Sequence, residues 1–380
     1  MSKQAVKKKD LTNMSKLDVI KKFKKDNNLN GAKDKELEWI VLPSAFQEAI
    51  KIPGIPKGFF SVVRGLPNTG KSTIKLQLIA ACQKQGILPI IYETENNFPW
   101  DHAKMCGVEF EDVYEDVVDE ETGEITKQVV DHDGFFIYYD SDKLFEQYGK
   151  IDHSDGSIKT KPTRPVAVIE DISWSINEYL NKQESGELPM EMCFIWDSVG
   201  SLRSYRSVTS NVNNNQWDAG AMSQCFSTIT NNRIPSSRKE GKEFTNTFFA
   251  VNKIWIDNMQ MGGPQVKNKG GNEFAYGARL LIHLGGITSP SVEKLKATSG
   301  GETYYYGICT KIKIEKNQVN DITYEGKICS LPHGLWSPRK EALDEYKKTH
   351  MKFLMDRLSE ISGKVFDENC EIELDSEPEK

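Results

Sequence analysis

Residues 65–73 read Gly-Leu-Pro-Asn-Thr-Gly-Lys-Ser-Thr, a complete G-x-x-x-x-G-K-[ST] phosphate loop. Glycines at 65 and 70 allow backbone conformations that a Cβ would block, so successive N–H groups can wrap phosphate oxygens. Pro67, Asn68 and Thr69 form the turn between them. Lys71 brings a point charge to the β- and γ-phosphates. The Ser72 hydroxyl, followed by Thr73, is a natural Mg²⁺ ligand. The flanks fit the motif. Phe59 to Arg64 reads as a buried strand, and Ser72 to Ala81 as a helix whose N-terminal dipole faces the phosphates. The stretch predicts a nucleoside triphosphate held with Mg²⁺ in an α/β fold.

Composition bounds the rest. The chain has 380 residues and a net charge of −6. That length suits one large α/β domain with appendages. No apolar run reaches the roughly 18 residues of a membrane span, and the first residues lack the apolar stretch of a signal peptide. The seven cysteines are scattered without a C-x-x-C pair. That pattern fits a reducing cytoplasm and argues against a zinc ribbon or a disulfide framework. The six histidines show no H-E-x-x-H spacing, so the nucleotide's Mg²⁺ is the one metal expected. Charge is segregated. Residues 1–28 carry nine lysines and three aspartates; residues 109–124 carry nine acids and no base; residues 367–379 carry seven acids. The middle is closer to neutral, which leaves room for a local basic groove.

Local patterns predict the element order. Ser15 caps a basic helix to about residue 26, with Leu17, Ile20 and Phe23 on one face. Trp39 to Leu42 is a short strand. Strands at 88–92, 135–139, 192–198, 247–252, 280–284 and 304–314 alternate with helices at 100–105, 166–182 and 216–232, and a last helix covers 338–361. Two polar hairpins are expected, an acidic one at 109–133 and a second at 150–163 turning at Asp155-Gly156. The alternation implies a doubly wound, mostly parallel sheet with its ligand at the C-terminal strand ends. The expected domains are a basic oligomerisation arm (1–42), an ATPase core (43–335, with the acidic insertion at 109–163), a small C-terminal helical segment (336–364) and an acidic tail (365–380).

At those strand ends the sequence offers carboxylates. Asp197 follows four apolar residues, the pattern of an acid that holds Mg²⁺. Glu93 and Glu95 close the strand at 88–92, where a carboxylate can orient or deprotonate the water attacking the γ-phosphate. Alternation puts both glutamates on one face, so periodicity does not choose between them.

In this order the parts resemble the RecA family of DNA strand-exchange recombinases, over roughly residues 40–320. The resemblance is carried by Leu42-Pro43-Ser44 through Ile55-Pro56-Lys57-Gly58, by Gly65 to Thr73, and by Tyr92-Glu93-Thr94-Glu95. It continues in Ile195-Trp196-Asp197-Ser198-Val199-Gly200-Ser201-Leu202, Val251-Asn252-Lys253-Ile254, Gly270-Gly271-Asn272 with Arg279, and Ile314-Glu315-Lys316-Asn317. It implies a RecA-like P-loop NTPase core, ATP with Mg²⁺, and DNA-dependent ATP hydrolysis. It puts Glu95 at the catalytic position beside Lys71. Trp100 and His102 fall where the family stacks the adenine, and either ring suits. Residues 203–216, with Arg203, Tyr205 and Arg206, fall on the first DNA-binding loop. Residues 255–271, with Trp255, Met259, Met261, Lys267, Lys269, Gly270 and Gly271, fall on the second. Cations there meet phosphates, and aromatic or thioether side chains wedge between bases.

Two positions depart from the bacterial pattern. The glutamine that senses the γ-phosphate is replaced by Lys253. Of the two lysines that reach the neighbouring subunit's ATP, Lys316 is present and the second position holds Gln318. The acidic insertion and compact C-terminal part look more like the tailed-phage (UvsX-like) branch, which implies the cytoplasm of a host cell. The resemblance implies an ATP-dependent homologous recombinase that assembles as a helical filament on single-stranded DNA, engages duplex DNA and exchanges strands in recombination, repair and replication. Single-strand-binding and mediator proteins are implied partners, and a membrane is not. A RecA-core ring helicase or other DNA-dependent motor shares the phosphate loop. Its marks are a separate domain before the core or a late arginine finger, and the late cation here is Lys316. A nucleotide-binding mediator without turnover is a third reading, which intact Lys71, Asp197 and Glu95 oppose.

Overall fold

Alternating burial decides the central sheet. Along Met192–Val199 every side chain is buried. Cys193 and Ile195 enter the core on one face, and Phe194 and Trp196 enter it on the other. A strand apolar on both sides needs cover on both faces, as in a parallel α/β sheet. The computed structural model describes residues 15–27, 33–118, 125–257, 265–268, 273–286, 291–364 and 373–374.

The principal strands, in chain order, are β1 (Phe60–Gly65), β2 (Leu88–Glu93), β3 (Ile137–Asp140), β4 (Met192–Val199), β5 (Thr247–Asp257), β6 (Leu280–Leu284), β7 (Val292–Ser299), β8 (Glu302–Asn317), β9 (Glu325–Leu331) and β10 (Gly334–Trp336). They lie in the order β10-β9-β8-β6-β1-β5-β4-β2-β3, with β7 on the outer part of β8. From β6 to β3 every pairing is parallel. From β6 outward through β8, β9 and β10 every pairing is antiparallel. The expected parallel sheet is thus a parallel centre with an antiparallel flank. The flank arises because Val292–Trp336 runs strand to strand without an intervening helix.

One face of the parallel centre is covered by the helix Lys71–Lys84. That helix is buried nearly all round, from Thr73 to Cys82. The other face is covered by Ile169–Glu184 and Asn215–Thr228. A third cluster joins the antiparallel flank to the C-terminal helices. The last helix expected at 338–361 is two, Lys340–Thr349 and Met351–Ser362, broken at His350. Both expected hairpins form. The acidic one pairs Glu111–Val118 with Ile125–Asp133, and its turn lies outside the described residues. The second pairs Ile151–Asp152 with Ser157–Ile158, with Gly156 at φ +71° in its turn.

The chain divides into two compact units, residues 1–36 with 239–242, and the remainder. In the smaller unit the Ser15 hydroxyl accepts a hydrogen bond from Asp18 N and caps Lys16–Asp26. Leu17, Ile20 and Phe23 on that helix are exposed. In the larger unit Trp39–Val41, assigned to the arm from sequence, pairs with Gly54–Pro56. Among the described residues no helix is long and apolar enough to cross a membrane.

Candidate nucleotide site

The parallel centre brings three strand ends level. Asp197 on β4 lies beside Glu93 on β2 and Val251 on β5. β1 ends in the phosphate loop, and the loop runs into Lys71–Lys84. Asn68 and Gly70 take positive φ, 58° and 88°. A Cβ at Gly65 would lie 2.5 Å from the Leu284 carbonyl, and one at Gly70 would strike the Ser330 hydroxyl. Both glycines are therefore required by the close approach of neighbouring strands as well as by the loop.

The loop closes on itself. Thr69 Oγ1 donates to Leu66 O at 2.9 Å, and Lys71 Nζ donates to the same carbonyl at 2.6 Å. Burial pushes the Lys71 pKa down to about 8, with Asp197 and Glu95 opposing the fall and Lys253 adding to it. Ser72 is exposed in the first helical turn. These groups line a cavity of about 850 Å³ together with Glu95, His102, Asp197 and Lys253. Its opposite wall comes from the antiparallel flank and the last helix, through Tyr304, Leu331, Phe353 and Arg357.

Glu93 and Glu95, equivalent by periodicity, have different surroundings. Glu93 is buried and accepts a hydrogen bond from Lys75. Glu95 lies beyond the strand end and faces the cavity. Its Oε1 accepts from Ser198 Oγ and its Oε2 from Lys253 Nζ, each at 2.5 Å. Ser198 reaches Glu95 from a register shift between Asp197 and Val199, which takes it out of the ladder.

Lys75 was not singled out from sequence. Its Nζ donates to Glu93 Oε2 and to Asp197 Oδ2, both at 2.6 Å, and lies 5.0 Å from the centre of the Phe98 ring. Burial disfavours its charged form, but Asp197 and Glu93 outweigh burial and hold the pKa above the ordinary value. A signal was present in the sequence. A helix apolar on every side has no solvent face for a lysine, so Lys75 needs a buried partner.

The other candidates divide. His102 lines the cavity, with Nε2 buried and making no hydrogen bond to the described residues. Burial lowers its pKa, which favours the neutral ring. Trp100 packs instead among Phe98, Phe110, His132 and Tyr138. Lys316 is outside the cavity lining and donates to Tyr276 O at 2.6 Å. Gln318 accepts from Arg279 at 2.8 Å.

Tyr205 and Arg206 open a short helix, Tyr205–Thr209, just after Arg203, where a loop was expected. Tyr205 donates to Asp152 at 3.0 Å, and Arg206 stacks 4.1 Å over Trp217. The expected second loop begins as a hairpin. Trp255 on β5 lies opposite Lys267 on the strand Gln265–Asn268. Trp255 is half exposed. Met259, Met261, Lys269, Gly270 and Gly271 lie outside the described residues.

Known proteins match this region. The RecA N-terminal domain family matches residues 12–136. Protein RecA of Thioalkalivibrio sulfidiphilus (strain HL-EbGR7) is 34% identical over 87 residues, 23% of this chain and 25% of the relative. Protein RecA of Campylobacter lari is 35% identical over 85 residues, 21% and 25% respectively. Protein RecA of Aquifex aeolicus (strain VF5) is 34% identical over 70 residues, 18% and 20%. The first third of the chain is similar to RecA. The chain spans about a quarter of the length of the first of these relatives. The family match holds the phosphate loop, Lys75, both glutamates and His102, whereas Asp197, Lys253 and Lys316 lie beyond it.

Proposed function

We propose that the protein is an ATP-dependent DNA recombinase that assembles on single-stranded DNA, pairs it with homologous duplex and exchanges strands. One observation carries this reading: a single strand, β5, joins the nucleotide cavity to a candidate DNA element. Lys253 on β5 bonds to Glu95 in the cavity, and Trp255, two residues on, stands exposed opposite Lys267. A change at the nucleotide therefore has a route along one strand to an aromatic ring suited to bases, and across the ladder to a cation suited to phosphate.

Each cavity residue has a part. The loop N–H groups and Lys71 bind the β- and γ-phosphates. The Ser72 hydroxyl and the Asp197 carboxylate fit Mg²⁺ as hard oxygen donors on facing elements, and Asp197 Oδ1 makes no hydrogen bond among the described residues. An ion held there would supply positive charge against the phosphate oxygens. Glu95 orients the attacking water and takes its proton. Lys253 can exchange the Glu95 carboxylate for the γ-phosphate, since both are anions within one cavity. His102, neutral, flanks the base. Lys316, outside the cavity, supplies a cation to the nucleotide of an adjacent copy in the filament.

Electron microscopy with single-stranded DNA and a slowly hydrolysed ATP analogue tests assembly, and joint-molecule formation with matched and unmatched duplex tests function. Helical filaments and homology-dependent joint molecules are expected. Closed rings with unwinding activity would identify a motor instead.

A further inference from the structure

Within that reading of the nucleotide site, the geometry points to Lys75 as a resident counter-ion that keeps the metal-facing carboxylate, Asp197, from taking up a divalent cation until a nucleotide arrives. Three observations combine. Lys75 is buried, and its two hydrogen bonds to carboxylates of different strands are equal in length. It occupies Asp197 Oδ2, so Asp197 presents one oxygen rather than two. By formal charge, Lys75, Glu93 and Asp197 sum to one negative charge.

The sign of that sum matters. Without Lys75, two facing carboxylates at the floor of an open cavity form a hard-oxygen site of charge −2 that binds a divalent cation unaided. Without Glu93, Lys75 cancels Asp197 and the site loses its pull on metal. The observed arrangement lies between these. One net negative charge is enough to favour the metal that the nucleotide's phosphates already hold, and too little to hold a metal alone. Lys75 is thus a positioning residue: its ammonium is taken up by Glu93 and Asp197.

Binding of Mn²⁺, followed by electron paramagnetic resonance, tests this separately from hydrolysis and strand exchange. The wild-type chain is expected to take up Mn²⁺ only with nucleotide present. Lys75→Met is expected to bind one Mn²⁺ per chain without nucleotide, at least tenfold tighter than wild type. The double change Lys75→Met with Glu93→Gln should abolish that uptake. Glu93→Gln alone keeps the Lys75–Asp197 pair, so it tests the idea even if Lys75→Met does not fold. It should reduce the Mn²⁺ enhancement of nucleotide affinity at least fivefold while leaving metal-free nucleotide binding unchanged. Nucleotide-independent Mn²⁺ uptake by wild type, or an unchanged enhancement in Glu93→Gln, would overturn the inference. Failure of the wild type to bind nucleotide at all would instead overturn the reading of the site.

Discussion

The cavity has two unlike walls. One is made of strand ends and the phosphate loop: polar, largely buried, and crossed by charged hydrogen bonds from Lys71, Lys75 and Lys253. The other is made of β8, β9 and the helix Met351–Ser362, and presents aromatic and aliphatic side chains with one exposed ion pair, Arg357–Glu360. The difference separates chemistry from enclosure. Charges fixed in a low-dielectric wall stabilise developing charge because they need not reorganise. A wall of rings and one solvated ion pair shapes the space and contributes little to the reaction. Substitutions should therefore have steeply graded effects from the first wall to the second.

The largest effect is expected at Lys71. Lys71→Ala removes the cation proposed to meet the phosphates and the bond that closes the loop on Leu66. Nucleotide affinity and turnover should both fall, turnover by about 10²–10³-fold. Retained affinity in equilibrium binding would mean that the two walls matter alike.

Glu95→Gln should separate binding from chemistry. The amide keeps the shape, can still meet Ser198, and cannot take a proton. Turnover is expected to fall by about 10²-fold with nucleotide affinity nearly unchanged. Glu93→Gln should leave single-turnover hydrolysis at saturating Mg²⁺ far closer to wild type, because the Glu93 carboxylate is engaged by Lys75. If the two glutamine variants proved equally slow, the assignment of Glu95 would be wrong.

Sequence legibility follows the same division. The loop at 65–73 and Asp197 stood out as candidates because contiguous residues spell their patterns. For Lys75 the helix without a solvent face signalled a buried partner, but which partner was not readable, since Glu93 and Asp197 lie 18 and 122 positions away. The different surroundings of Trp100 and His102 were not readable either. Both rings sit on one short helix, and only packing shows that Trp100 turns into an aromatic cluster. On the antiparallel flank, β7, β9 and β10 carried no motif. Their mixed polar and apolar residues are ordered by pairing with β8 and with each other, and nothing local in the sequence announced it.

Lys253→Ala should have a smaller effect. Its pair with Glu95 is partly exposed, 38% and 29%, so solvent screening limits its strength. Loss of the pair releases Glu95 Oε2 from Lys253 in the resting protein. Hydrolysis without DNA should rise by about two- to fivefold, while stimulation by DNA should shrink. A fall in both would place Lys253 on the phosphate at all times and remove the exchange between partners.

The far wall should respond to acid before it responds to nucleotide. Burial, with His350 and His102 adding repulsion, lowers the His333 pKa to about 4. Its ring stacks on His350 at 3.7 Å and its Nδ1 meets the Tyr346 hydroxyl at 3.0 Å. The unfolded chain binds a proton near the ordinary value, about 6.5, that the folded chain refuses until about pH 4. Stability therefore falls as pH drops through that window and is recovered above it. His333→Phe keeps a ring against His350 and should flatten the thermal-melting profile between pH 6.5 and 4. A profile as steep as that of wild type would assign the acid response elsewhere.

Arg357→Ala should have the smallest effect. The side chain lines the cavity yet is 44% exposed, and its Glu360 partner is 61% exposed. An ion pair so solvated contributes little. Its removal takes some contact area from the bound nucleotide equally in the ground and transition states. The Michaelis constant for ATP should rise by about twofold with kcat unchanged, the signature of uniform binding. A fall in kcat would show that Arg357 acts on the reacting phosphate, and the far wall would then belong to the chemistry rather than to the enclosure.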